Sequence, residues 1–421
     1  MKARPNVVIL GGGFAGLESA FYLKHKLHDN VNVTLISDRS YFLFKPNTIY
    51  IPFGEDPEKY RIYLEEPTRQ KDIAFIQDQV VGVDADHRTI FLSSYELPYH
   101  YLVIATGADM RPEEIPGLRE HAITLWTPEE MLRLRHSYAR LVEKAREKET
   151  QRLLFLIPPN NRCSGPLYEI ALMTDTWLRT QGVRDRIDIT WRTYEDSYIE
   201  AFGPRLNTVV AGEFEERGIH GFKGCPVGRV ERDAVFFQNG DKHEYDVLVS
   251  FPPYVPGQRY ANFPVDHRGF ILVDPESRRV KGQDGIFAVG DIADFPIKQA
   301  FLALLQADAA ADHIRAAIKG KSPEVNFEPM SMCVMEELNK ATFAQVPLRY
   351  TYDPAKQVTV AAEDVNHYRV GVSPLWRIGK KALGLYLPWR FGNGEPFHAG
   401  LAWEAMDLGL KVMSRTLAHA G

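Results

Sequence analysis

Cysteine is scarce, with three in 421 residues. Three thiols cannot build a structural disulfide framework, which fits a reducing compartment or thiols kept for chemistry. A basic excess is also missing. Fifty Lys and Arg against 55 Asp and Glu leave a net charge of -5, which argues against nucleic acid as a partner. No uncharged apolar run reaches the ~18 residues of a membrane span. The first strand pattern begins at residue 6, leaving no room for a signal peptide, so the expected location is the cytoplasmic side. Neither a repeat nor a low-complexity segment is evident. With 45% hydrophobic and 25% charged residues, general disorder is excluded. The length suits two or three domains with real cores.

What is present is an alternation of strands and helices. Apolar runs at 6–10, 31–36, 101–105, 152–157, 246–251 and 285–289 read as buried strands. Segments 14–26, 128–148, 168–178 and 299–318 read as helices. The expected fold class is α/β, with two Rossmann-like domains, one inserted into the other. The expected boundaries give residues 1–110 and 257–325 to the first domain and 111–256 to the second. Beyond 326 the chain becomes rich in aromatics and loses the strand-then-helix rhythm.

Gly11, Gly13 and Gly16 form a G-x-G-x-x-G between a strand and a helix. The first glycine permits a tight turn, the second lets backbone approach a pyrophosphate, and the third lets helix and strand meet closely. The helix N-terminus then offers free N–H groups to the anion. Ser37 and Asp38 close the second strand, about 20 residues on, where an acidic group holds ribose hydroxyls. Ala105-Thr106-Gly107 ends a third strand, and Ile286–Val289 runs into Gly290-Asp291. In these three ordered motifs the chain resembles the flavoproteins with two dinucleotide domains, the disulfide reductases and their relatives. That resemblance implies FAD, with Asp291 on its ribityl chain.

Such enzymes carry a second glycine motif where they bind a nicotinamide. Here the strand at 152–157 is followed by Pro158-Pro159-Asn160-Asn161-Arg162-Cys163-Ser164-Gly165-Pro166. One glycine and three prolines make a poor phosphate cradle, because proline lacks the N–H and fixes φ. NAD(P)H is therefore not the expected electron donor.

A cysteine stands there instead. Cys163 precedes a helix N-terminus, where the partial positive charge is expected to favour thiolate. The pattern Cys163-x-x-x-x-Tyr168-Glu169, the segment Met332-Cys333-x-Met335-Glu336 and the closing Leu387-Pro388-x-Arg390-Phe391-x-x-Gly394-x-Pro396-Phe397 narrow the likeness. Over nearly its whole length the chain resembles the sulfide:quinone oxidoreductase family. The resemblance implies a redox disulfide between Cys163 and Cys333, attacked by hydrosulfide through thiol–disulfide exchange, with electrons passing by way of flavin to quinone. It also implies Glu169 as proton acceptor, Lys298 beside the flavin and Lys380 beside the quinone. No cysteine lies between 107 and 150 or in 41–46, so the expected FAD is non-covalent and Cys225 is expected to be structural. The loop at 197–203 lacks the histidine often found in the family, so any proton relay must differ. No metal is expected.

Aromatics interleave with basic residues from Trp376 to Phe391, and Leu401, Met406, Leu410, Met413 and Leu417 form a helical stripe. Both suit peripheral contact with a membrane, and the stripe equally suits packing on the core or on another subunit of a homo-oligomer. Three alternatives stand beside the leading reading. They are a sulfide dehydrogenase subunit that reduces a cytochrome, an enzyme like type II NADH:quinone oxidoreductase, and a flavin-binding redox sensor.

Overall fold

In the computed structural model, which describes residues 4–351 and 357–420, two parallel five-stranded sheets stand beside an antiparallel third. The first sheet runs Ile286–Ala288, Tyr101–Ile104, Asn6–Leu10, Asn32–Ser37, Ile73–Gln77. All its neighbours are parallel. Its strands are apolar on both faces because helices or further strands cover both. Val7, Ile9 and Val103 belong to one core cluster, while Val8, Leu102 and Ile104 belong to another.

Helix Phe14–Leu27 lies against helix Ala300–Lys319. Small buried residues, Ala20 on one and Ala303, Ala307, Ala310 and Ala311 on the other, share one core cluster at that contact. The second sheet runs Ile123–Thr124, Val247–Ser250, Gln151–Ile157, Ile187–Thr193, His220–Phe222, again all parallel. Helix Gly165–Thr180 covers it through Tyr168, whose ring lies 3.8 Å from that of buried Trp191.

The region after 326 is not irregular. Strand Met330–Glu336 pairs antiparallel with Ala341–Tyr350, which pairs with Arg369–Ser373. The lack of a strand-then-helix rhythm there reflects a meander rather than a crossover unit. Helix Pro374–Gly392 is fixed to this sheet by Trp376, stacked at 3.9 Å on Phe343. Helix Gly400–Leu417 follows it. Among the described residues no helix is long and apolar enough to cross a membrane.

Candidate functional site

The glycine turn sits at the carboxyl end of the central strand of the first sheet, the topological position for a dinucleotide. Gly11 has φ +106°, and a Cβ there would lie 2.4 Å from the Ala105 carbonyl oxygen. A Cβ on Gly16 would lie 1.8 Å from the Gly11 carbonyl oxygen. Both glycines are needed for the turn itself. Gly13 differs: a Cβ would meet nothing within 4 Å. It caps helix Phe14–Leu27 without any side-chain bond to the first-turn N–H groups. Open space above uncapped N–H donors fits a pyrophosphate.

Gly107 is likewise open on its Cβ side, with φ +70°. Ser37 is buried, and Asp38 is exposed at the end of its strand. Gly290 has φ +71°, with Ala15 and Ala303 close by, and starts a short 3-10 turn carrying Asp291. Asp291 faces two lysines. Burial raises its carboxyl, while Lys298 and Lys45 oppose that shift. Both lysines are pushed down to about 7 by desolvation, with Asp291 acting against it. Lys298 lies 3.9 Å over the Phe270 ring and donates to the Ala293 carbonyl. Lys45 lies 3.5 Å over Trp126. Glycine turn, acidic residue and enclosed cations together fit FAD.

The same ground holds the first cysteine. Cys163 feels the charges of both Cys333 and Asp291. Its backbone N–H donates to Asn161 Oδ1 at 3.0 Å. The Asn161 amide in turn donates to the carbonyls of Phe251 and Pro252. Ser164 Oγ donates to buried Glu195 at 2.9 Å, as does the Tyr168 hydroxyl at 3.1 Å. The backbone N–H of Lys298 donates to the Arg162 carbonyl at 3.1 Å, tying the flavin side to the cysteine turn.

The expectation that the helix terminus favours a Cys163 thiolate does not hold. Burial pushes this thiol well up, and Cys333 and Asp291 add to the shift against the Gly165 N–H. Desolvation outweighs the field of one helix end. Cys333 is pushed up to about 12, first by burial and then by Glu169, with Lys380 opposing.

Glu169 and Lys380, assigned separately to proton and quinone, meet as one ion pair. Lys380 Nζ also donates to the Val334 carbonyl at 2.7 Å, next to Cys333. Glu169 accepts the Glu336 N–H at 2.6 Å, and burial raises its carboxyl against the Lys380 charge. Glu336, fully buried, accepts from the Tyr50 hydroxyl at 2.9 Å and from Arg377 Nε at 2.8 Å.

Lys45, Tyr50, Glu195, Glu336 and Arg377 are not among the residues that sequence reasoning singles out. Glu336 had a signal, standing three residues after Cys333 at the end of the Met332–Glu336 segment. Tyr50, within the 3-10 segment Lys45–Phe53, had none. Cys225 lies elsewhere, buried in the cluster of Leu154, Leu156 and Val227, with its thiol donating to the Lys223 carbonyl.

The model of the family described as "Pyridine nucleotide-disulphide oxidoreductase" matches residues 5–145 and 180–312. The chain belongs to the pyridine nucleotide-disulphide oxidoreductase family. Membership places it among FAD-dependent oxidoreductases. The match in this family stops at 145 and resumes at 180, so the Cys163 turn falls in its gap.

The chain is 28% identical over 257 residues to the sulfide-quinone reductase of Aquifex aeolicus. That alignment spans 60% of this chain and 58% of the relative, so the chain covers less than two thirds of that protein. It is 26% identical over 326 residues to the external alternative NAD(P)H-ubiquinone oxidoreductase B4 of Arabidopsis thaliana, covering 69% of this chain and 54% of that one. The solved sulfide:quinone oxidoreductase from Aquifex aeolicus shares the fold, with TM-score 0.82 and 22% identity over 97% of this chain and 96% of that one.

Proposed function

We propose that this chain oxidises sulfide at a disulfide between Cys163 and Cys333, with electrons passing through non-covalent FAD to a membrane quinone. One observation carries the reading. The two cysteines, free thiols in this structure, come from distant parts of the chain onto neighbouring elements, where the Glu336 N–H of the Cys333 strand donates to Glu169 on the helix that follows Cys163, and Cys163 feels the charge of Cys333. The relative named for sulfide and quinone adds to it.

Hydrosulfide attacks one sulfur of the disulfide and breaks the S–S bond. The products are a persulfide on one cysteine and a thiolate on the other. Loss of two electrons and one proton from that pair restores a bridge that carries the extra sulfur. FAD, when bound, supplies the two-electron acceptor. Glu169, ion-paired with Lys380 beside Cys333, is the carboxylate that takes the proton. Burial keeps the reduced thiols protonated, so the thiolate is short-lived unless electrons leave it.

Gly11 and Gly16 shape the turn on which Gly13 meets the pyrophosphate, Ser37 and Asp38 hold the ribose, Thr106, Gly107, Gly290 and Asp291 the rest, and Lys298 the charge of the reduced ring. Lys380 lies on helix Pro374–Gly392, whose outer face carries exposed Ile378, Leu385 and Trp389. It thus stands between the sulfur chemistry and the side that meets quinone. That helix and the last one give peripheral contact with the membrane, on the cytoplasmic side.

The NAD(P)H-oxidising reading takes weight from the Arabidopsis relative. Against it stands the 158–166 turn, filled by prolines and by the Asn161 hydrogen bonds. The test is an anaerobic flavin spectrum with sulfide in one cuvette and NADH in another. Bleaching by sulfide alone, reversed by a soluble quinone, is expected. Bleaching by NADH alone overturns the reading. Cys163→Ser and Cys333→Ser should each keep FAD and lose bleaching by sulfide, and retention of wild-type turnover by both would sink the disulfide.

A further inference from the structure

Helix Gly165–Thr180 starts two residues after Cys163, and strand Met330–Glu336 carries Cys333. One guanidinium joins them. Arg217, the last residue of helix Gly203–Arg217, is buried. Its Nη1 donates to Asp175 Oδ2 at 3.1 Å, on the Cys163 helix. Its Nη2 donates to Glu337 Oε2 at 2.6 Å, directly after the Cys333 strand. Its Nε donates to Glu213 Oε2 at 3.1 Å, on its own helix. Three donors of a rigid planar fork thus reach three carboxylates on three elements.

Asp175 and Glu337 are both fully buried. Asp175 is also held by Arg179 Nε at 2.9 Å and Arg184 Nε at 2.5 Å. Glu337 also accepts the Thr342 hydroxyl at 2.7 Å, from the paired strand. Lys340, in the same turn, donates to Glu213 at 2.7 Å. The tie is made where water does not screen it, so a change at Arg217 is felt at both ends.

A disulfide tolerates little error in the separation and direction of its two Cβ atoms, and a misplaced pair is easier to reduce. We propose that Arg217 is a positioning residue, holding the Cys163 helix and the Cys333 strand so that the two sulfurs bridge. Its tie to both elements sets the balance between disulfide and dithiol. The proposal rests on the disulfide reading above.

The test is a thiol–disulfide titration of the FAD-loaded protein in graded mixtures of oxidised and reduced dithiothreitol, read by alkylation and mass spectrometry. Arg217→Lys keeps the charge and loses the fork. Glu337→Gln cuts the arm to the Cys333 strand and carries the test if Arg217→Lys does not fold. In either folded variant the equilibrium should move toward the dithiol by roughly tenfold, about 30 mV for a two-electron couple. Arg315→Lys, which loosens the buried pair with Asp312 and touches neither arm of the tie, should lower thermal stability and leave the equilibrium in place. An unshifted equilibrium in folded Arg217→Lys and Glu337→Gln overturns the positioning role. A wild type that forms no Cys163–Cys333 disulfide in oxidised dithiothreitol overturns the underlying reading instead.

Discussion

Lys380 is the residue whose surroundings say most about its work. It neutralises Glu169, donates to the carbonyl beside Cys333, and opposes the burial and the Glu169 charge that leave the Cys333 thiol at about 12. Lys380→Met removes that opposing charge. The Cys333 thiol then rises further, and at a fixed alkaline pH its thiolate fraction falls, roughly three- to tenfold for a shift of half to one unit. Iodoacetamide labelling of the reduced protein, with Cys163 as internal reference, reads this directly. An unchanged Cys333 rate would remove Lys380 from the electrostatics of the pair. Both cysteines, Glu169 and Lys380 are legible in the sequence through the segments they occupy. Their mutual pairing is not, because an ion pair between a second-domain helix and a C-terminal helix leaves no local trace. Tyr50 and Arg377 are invisible for the same reason, their roles coming wholly from buried Glu336. The thiolate expected at Cys163 fails because a helix terminus is a local rule and burial is a property of the whole fold.

At the scale of elements, the strand–turn–helix at 6–27 is legible to within a residue, since the glycine spacing and both apolar runs agree. Its three glycines serve two purposes, and substitutions separate them. Gly16→Ala drives a Cβ into the Gly11 carbonyl and should lower both thermal stability and FAD content. Gly13→Ala meets only open space in the protein. It should leave the melting temperature of the apoprotein in place and reduce FAD retention after gel filtration. Equal loss of stability in both variants would remove the pyrophosphate role from Gly13.

Another joint between elements has no sequence signal. Glu18 on the first helix accepts the N–H groups of Phe397 and His398, and His398 Nδ1 bonds Asp308 on helix Ala300–Lys319. Burial pushes the Asp308 carboxyl from 3.8 up to about 7, with a hydrogen bond to Glu18 and the charge of Lys26 opposing and Asp312 adding. A raised carboxyl contributes stability that is complete below about pH 4 and is lost as pH climbs through 7. At most this is roughly 4 kcal/mol. Asp308→Asn removes the titration, so its melting temperature should fall less than that of wild type between pH 5 and 8. Parallel curves would mean that Asp308 titrates as an ordinary carboxyl.

The whole molecule has one face whose chemistry the core does not use. The expected stripe on the last helix divides. Met406, Leu410, Met413 and Leu417 are half-buried, with Met413 against Gly379 of the preceding helix, while Leu401 is 83% exposed. A second set, Leu401, Leu408 and Val412, faces outward with the same spacing as Ile378, Leu385 and Trp389 on helix Pro374–Gly392. Periodicity finds the inward stripe because it follows the core, but exposure of the outward one depends on how two helices lie on a sheet that the sequence pattern does not announce. Two exposed apolar rows on adjacent helices suit the contact surface proposed above. Leu385→Asp with Leu408→Asp puts charge on both rows without touching Trp376, the stacked anchor of the first helix. The double variant should lose most of its co-sedimentation with lipid vesicles while its flavin is still bleached by sulfide at the wild-type rate. Proportional loss of both would make the rows a folding surface. Loss of a dimer on size exclusion, with vesicle binding intact, would assign them to a second copy of the chain rather than to the bilayer.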